Sequence, residues 1–206
     1  MTIFAIGDGH SIFYHNSNKI KEHWVCYRGM PETWKELIYK GLDIYNIGTL
    51  LGNGHEKYNI KSGDFVLFCY GWCDIQKKIY KYAKDNYKSE IERLINAYGE
   101  LLKNYKNKYN ITPIIQNILP NPLVESKAIC GPANLRNDYT KYANQYLFNY
   151  CKDNNMLLFN VYDLVTDENG YFKKEYTKDK FHLDSDNLFL RKTIDTKLIN
   201  LVNQHI

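Results

Sequence analysis

Strand-like and helix-like segments alternate along this chain, and that alternation predicts an α/β fold. The expected form is a three-layer α/β/α sandwich around a mainly parallel, five-stranded sheet. Two observations carry the expectation. Short apolar runs of strand length, bounded by Gly or Pro, recur from the first residues to beyond residue 157. Longer segments between them place apolar residues at helical spacing. A parallel sheet covered on both faces is the arrangement that buries both kinds of element. With 206 residues the chain is long enough for one core, and residues 1–206 read as a single domain.

Thr2–Ile6 reads as the first strand. Pro31–Lys40 reads as a helix, with Pro at its start and Gly41 just past its end. Leu42–Ile47 is the expected second strand, ending at Gly48, and Asp64–Tyr70 the third, ending at Gly71. Asn86–Tyr105 is a strong helix, because Ile91, Leu94, Ile95, Tyr98, Leu102 and Tyr105 fall on one face. Thr112–Leu119 is a fourth strand, stopped by Pro120. Asn134–Lys152 is a second strong helix, with Leu135, Tyr139, Tyr142, Tyr146 and Tyr150 expected on its inner face. Leu157–Val161 is the fifth strand, Asp167-Glu168-Asn169-Gly170 a turn, and Asn187–Gln204 the closing helix.

Composition excludes several classes. Hydrophobic residues are 44% and charged residues 24%, the balance of a globular domain. The net charge of +4 is spread through mixed segments without a dense Lys/Arg block, which argues against a nucleic-acid partner. No apolar run is long enough to span a bilayer. The first residues lack a basic leader and run straight into a strand, so no signal peptide is expected. Cys26, Cys69, Cys73, Cys130 and Cys151 make an odd set, against a disulfide framework and in favour of a reducing, intracellular setting. Cys69 and Cys73 lack the second pair that a zinc site needs, and no metal or other cofactor is expected.

In a parallel sheet the functional crevice lies beyond the carboxyl ends of the strands. Three Gly-led turns fall there: Gly7-Asp8-Gly9-His10, Gly48-Thr49 and Gly71-Trp72-Cys73-Asp74. Asp179-Lys180-Phe181-His182 stands before the last helix. A carboxylate three residues ahead of a histidine can accept the ring Nδ1–H and leave Nε2 as a base. Each residue also has a plainer role. Asp8 can hold turn amides, His10 can cap the next helix, and Asp74 can cap the segment Ile75–Lys84. Neither Asp8-x-His10 nor Asp179-x-x-His182 is a metal signature.

These blocks, in this order, resemble those of the SGNH/GDSL hydrolases over nearly the whole chain. The likeness is greatest to a branch whose first block reads Gly-Asp-Ser-His-Ser and whose third reads Gly-Glu-Ile-Asp-Cys-Arg. Gly7-Asp8-Gly9-His10-Ser11 differs from the first only at the serine, and Gly71-Trp72-Cys73-Asp74-Ile75-Gln76 follows the third more loosely. The Leu-Arg-x-x-Tyr stretch at Leu135–Tyr139 and Asn144 are also similar. The resemblance implies a flavodoxin-like sheet and acyl-ester chemistry. It assigns His182 as base, Asp179 as its orienter, and the Gly9 and Gly48 amides as oxyanion donors.

The position of the nucleophile is Gly9, which has no atom to acylate. Cys73 stands where the family has an Asn donor, and a thiol donates weakly. Trp72 and Gln76 replace the branch's Glu and Arg, and Trp72 would offer an aromatic lip at the rim. Ser11 is a candidate substitute nucleophile, although residues two apart on a helix face apart, and Cys73, a thiol that His182 could activate, is a second. A water in the space left by Gly9 is another. The expected protein is therefore a weak or silent SGNH-like domain that binds a small molecule or glycan bearing acyl groups, or a protein partner. The alternative is an active carbohydrate O-acetyl esterase or acyltransferase using Asp179 and His182 with Ser11 or an activated water. Asp8, His10, Trp72, Cys73 and Asp74 are candidate substrate-binding residues beside Gly48.

Overall fold

The computed structural model describes residues 3–16, 20–24, 34–35, 38, 60–124, 129–177 and 179–206. One sheet of five parallel strands, in the order β2-β1-β3-β4-β5, organises them. The strands are β1 (Ile3–Gly7), β2 (Ile20–Trp24), β3 (Phe65–Cys69), β4 (Thr112–Gln116) and β5 (Leu157–Phe159). Every residue of β1 and β3 is buried, as continuous apolar runs in a doubly covered sheet should be. Full burial of each large apolar side chain here contributes about 1.5–3 kcal/mol.

The second strand in chain order corrects the sequence reading. Ile20–Trp24 pairs with β1 from Ile3↔Ile20 to Gly7↔Trp24 and forms the sheet edge. Its Ile-Lys-Glu-His-Trp composition carries no apolar run, so hydropathy passes over it. The expected strand Leu42–Ile47 and Gly48 lie outside the described residues. Of the expected helix Pro31–Lys40, the described residues Trp34, Lys35 and Ile38 are helical.

Three long helices cover the sheet: α1 (Tyr87–Tyr109), α2 (Ala133–Asp153) and α3 (Leu188–Asn203). Asn110 closes α1 in the left-handed conformation, and Asn187 caps α3 by accepting from the Leu190 amide. Before α1 the chain makes a π-helical turn, Asp74–Ile79, and a short α-turn, Tyr80–Ala83.

The inner face of α2 differs from the expected tyrosine stripe. Arg136, Tyr139, Thr140, Ala143, Leu147 and Cys151 are buried, while Tyr142, Tyr146 and Tyr150 are half-buried. These three tyrosines form the seam with α1. Their hydroxyls meet Glu92, Asn96 and Glu100 in turn, advancing four residues on each helix. Gly99 makes room for the last of them, because a β-carbon there would fall 2.1 Å from the Tyr150 ring.

Two side chains of α2 hold the segment after β4. Asn144 accepts from the Ile118 amide and donates to its carbonyl, both at 2.8 Å. The Arg136 guanidinium, fully buried, donates to Asn121 Oδ1 and to the carbonyls of Gly131, Pro122 and Val124. These are the two features of α2 that resemble the SGNH branch, and both are structural anchors here. Among the described residues no helix is long and apolar enough to cross a membrane, and Cys69, Cys73, Cys130 and Cys151 are not joined in disulfides.

Candidate active site

The strand order reverses between β1 and β3, so the turns after these strands face each other at the switch point. Gly7 permits their close approach: a β-carbon there would lie 2.1 Å from the Cys69 carbonyl oxygen. That oxygen accepts the Asp8 amide at 3.0 Å. Asp8 then organises the 3-10 helix Gly9–Asn16. Its carboxylate accepts the His10 amide at 3.0 Å, and its carbonyl accepts the Ser11 amide at 3.0 Å. Asp8 is 1% exposed, so its role is the turn-holding one.

Gly9 and His182 come together. A β-carbon built on Gly9 would lie 3.0 Å from His182 Nε2 and 3.6 Å from its Cδ2, the nearest atoms of the described residues outside its own turn. The Gly9 amide opens the 3-10 helix, where helix N–H groups have no intrahelical partner. On the other side of the ring, His182 Nδ1 meets Asp179 Oδ2 at 2.6 Å. Asp179 Oδ1 accepts the amides of Phe181 (2.9 Å) and His182 (2.7 Å), which locks the carboxylate to the loop. Lys180 makes this tight loop with φ of 70°. Burial alone would raise the Asp179 pKa, but the bonds from the His182 ring and the two amides hold it below the ordinary value. The pair is therefore a carboxylate-oriented imidazole with Nε2 turned to Gly9, which presents no side chain to it.

Ser11 does not join them. It is fully buried and its hydroxyl donates to the Asp8 carbonyl oxygen at 3.0 Å, a bond that fastens the turn. Asp74 is also committed elsewhere. Its carboxylate accepts the amides of Trp34 at 2.7 Å and Lys35 at 3.5 Å, so it caps a different helix from the one that follows it. Gly71, with φ of 108°, lets the Trp34 ring pack directly on the chain before that turn. Cys73 is 7% exposed at the start of the π-turn, and the Gln76 amide donates to Thr140 Oγ1 at 3.0 Å.

Of the two roles open to Trp72, packing at the rim or an aromatic lip, the structure shows packing. Trp72 is 7% exposed and its ring lies against His10, with centroids 4.8 Å apart. His10 is 4% exposed and also touches His182, with centroids 5.1 Å apart. Sequence reasoning gave His10 a capping role, yet neither ring nitrogen has a hydrogen-bond partner. Among the described residues no three His, Cys, Asp or Glu side chains group as a metal site.

Burial first, then the neighbouring His182, holds the His10 imidazole well below its ordinary value of 6.5; Asp179 opposes and Lys77 adds to the lowering. A pKa depressed on folding gives stability that is present above the unfolded value and is lost as pH falls toward the folded one. The Tm of the wild-type protein is therefore expected to drop as pH falls below about 6.5. Thermal melts of His10→Phe across the same range should show a shallower drop, and an unchanged slope would contradict this assignment.

A surface cavity of about 1000 Å³ adjoins the Asp179 loop. Thr177 and Lys180 line one side, and Leu123, Tyr171 and Phe172 are among its apolar walls.

Neither a family model nor a curated protein matches the chain in sequence. Solved structures do match in fold. A GDSL-like lipase from Bacteroides thetaiotaomicron aligns with TM-score 0.66 at 14% identity, over 97% of this chain and 87% of its own. The psychrotrophic esterase EstA from Pseudoalteromonas sp. aligns at 0.55 and 16%, over 98% and 97%. An acetyl xylan esterase aligns at 0.54 and 12%, over 98% of this chain and all of its own (100%). With its parallel sheet flanked by helices, the chain has the α/β fold of the GDSL/SGNH-type hydrolases.

Proposed function

We propose that this chain is an SGNH-like domain that binds an acylated carbohydrate or related acyl ligand at the switch-point crevice, with weak or absent turnover. One observation carries the reading. Asp179 and His182 are assembled as an oriented base, and Nε2 looks into a space where Gly9 supplies no nucleophile. The fold neighbours support ester chemistry as the ancestry, and the acetyl xylan esterase among them favours a carbohydrate ester as the ligand. The cavity beside the Asp179 loop offers room for the remainder of such a ligand, with apolar walls and Lys180 at its edge.

The open space at Gly9 favours one second reading, an O-acetyl esterase that uses water. His182 Nε2 would take a proton from a water lying in front of Gly9, and the resulting hydroxide would attack the ester carbonyl. The alkoxide would leave with that proton. Ser11 has no part in either reading, because its hydroxyl is buried and bonded within the turn.

Hydrolysis of p-nitrophenyl acetate and of acetylated xylosides separates the two. The silent site predicts equal, near-background rates for the wild type and His182→Ala. A wild-type rate that His182→Ala reduces about 10²-fold or more, the usual contribution of a general base, would establish the water route instead.

A further inference from the structure

His10 is an unusual residue for a protein interior. Both its ring nitrogens are sealed from solvent and find no hydrogen-bond partner among the described residues, and the same is true of Trp72 Nε1, on the ring packed against it. Buried polar atoms of this kind are rare, and each costs desolvation free energy that a phenyl or leucyl side chain would not. Contact with the Trp72 and His182 rings needs no ring nitrogen, so packing alone does not call for a histidine here. The cluster adjoins the base itself, because His10 is also in ring contact with His182. It sits one residue after Gly9 and one residue before Cys73, whose thiol is a poor donor.

Resting on the acyl-ligand reading, we propose that His10 and Trp72 are ligand-contact residues whose N–H groups bind the carbonyl oxygen of an ester. They supply the hydrogen bonds that a side-chain amide at residue 73 would otherwise give. A neutral imidazole is the form required, since it offers an N–H to the carbonyl without placing a positive charge beside His182. The groups that bear on its charge are His182 and Asp179 on the loop before α3, and Lys77 on the π-turn. His182, with its side chain 42% exposed, is the wall that yields to let the carbonyl in.

The test uses the full chain and methyl tri-O-acetyl-xyloside, a neutral acetyl ester, as probe. In nitrogen NMR, saturating probe should shift the His10 ring nitrogens and the Trp72 indole nitrogen together with His182. A shift at His182 with His10 and Trp72 unmoved overturns this proposal and leaves the acyl-ligand reading standing. No shift at any of the three overturns both. Stability gives an independent check. His10→Phe or, where the larger ring does not fit, His10→Leu should raise the Tm by about 2–6 °C, because an orphaned polar ring is removed. A lower Tm for both variants would make the imidazole a structural element and sink the proposal. Trp72→Phe, which keeps a ring and deletes the N–H, should abolish the probe-induced shift of His10 or reduce it at least about twofold; an unaltered shift counts against the paired contact.

Discussion

Gly9→Ser should turn this protein into an esterase. The substitution adds a hydroxyl opposite His182 Nε2, already oriented by Asp179 at 2.6 Å. The new β-carbon would lie 3.0 Å from Nε2, closer than ordinary contact, so the imidazole must retreat by a few tenths of an ångström. It has the freedom to do so, since its side chain is 42% exposed. Hydrolysis of p-nitrophenyl acetate is expected to rise about 10²–10⁴-fold above the wild type. Adding Asp179→Asn should remove most of that gain, because the ring then loses the tautomer that leaves Nε2 free. A folded Gly9→Ser protein with no added rate would mean that the oxyanion donors are not in place. Attention would then move to the residues after β2.

The largest stability effect is expected at Arg136. Its guanidinium is completely buried and meets four oxygens of the Asn121–Gly131 segment. Arg136→Ala removes every donor at once and strips the buried Asn121 Oδ1 and Pro122 carbonyl of this partner, each loss costing about 1–3 kcal/mol, with the part-buried Gly131 and Val124 carbonyls adding less. The summed loss should be about 3 kcal/mol or more, lowering Tm by about 10 °C. Arg136→Lys should recover little, because one ammonium cannot span a fork of separated acceptors. Thermal melts of both variants check this; a near-wild-type Tm for Arg136→Lys would show that charge rather than geometry matters.

The Asp179–His182 pair and Asp74 differ in how far the sequence revealed them. The Asp179–His182 pair is local, three residues apart, and its chemistry can be read from spacing. The partners of Asp74 are forty residues away, on a helix the sequence does not connect to it, so its cap of Trp34 was illegible. Strands with apolar runs, such as Phe65–Cys69, were plain, but the edge strand Ile20–Trp24 was hidden by its charged residues. In α2, periodicity found the helix and residues that pack on the core, Tyr139 fully buried and Leu135, Tyr142, Tyr146 and Tyr150 partly so, but missed the buried polar members of that face. Tyrosines dominate a hydropathy reading, whereas Arg136 and Thr140 are inside because their polar atoms find partners there. Burial of a satisfied polar group leaves no trace in hydrophobic spacing. The unsatisfied imidazole of His10 is equally silent, since only three-dimensional packing shows that nothing meets its nitrogens.

The turn that carries Gly9 is fastened by the Asp8 amide, carbonyl and carboxylate and by the Ser11 hydroxyl. No bond in that set uses a side chain at residue 9. The hydrogen bonds of the loop are thus independent of the residue at position 9, and a serine there asks only the His182 ring to give way. Where position 9 is encoded by GGT or GGC, a single G-to-A transition gives the serine codon AGT or AGC. The hydroxyl that Gly9→Ser introduces then lies one base change away, on a loop whose bonds do not depend on it.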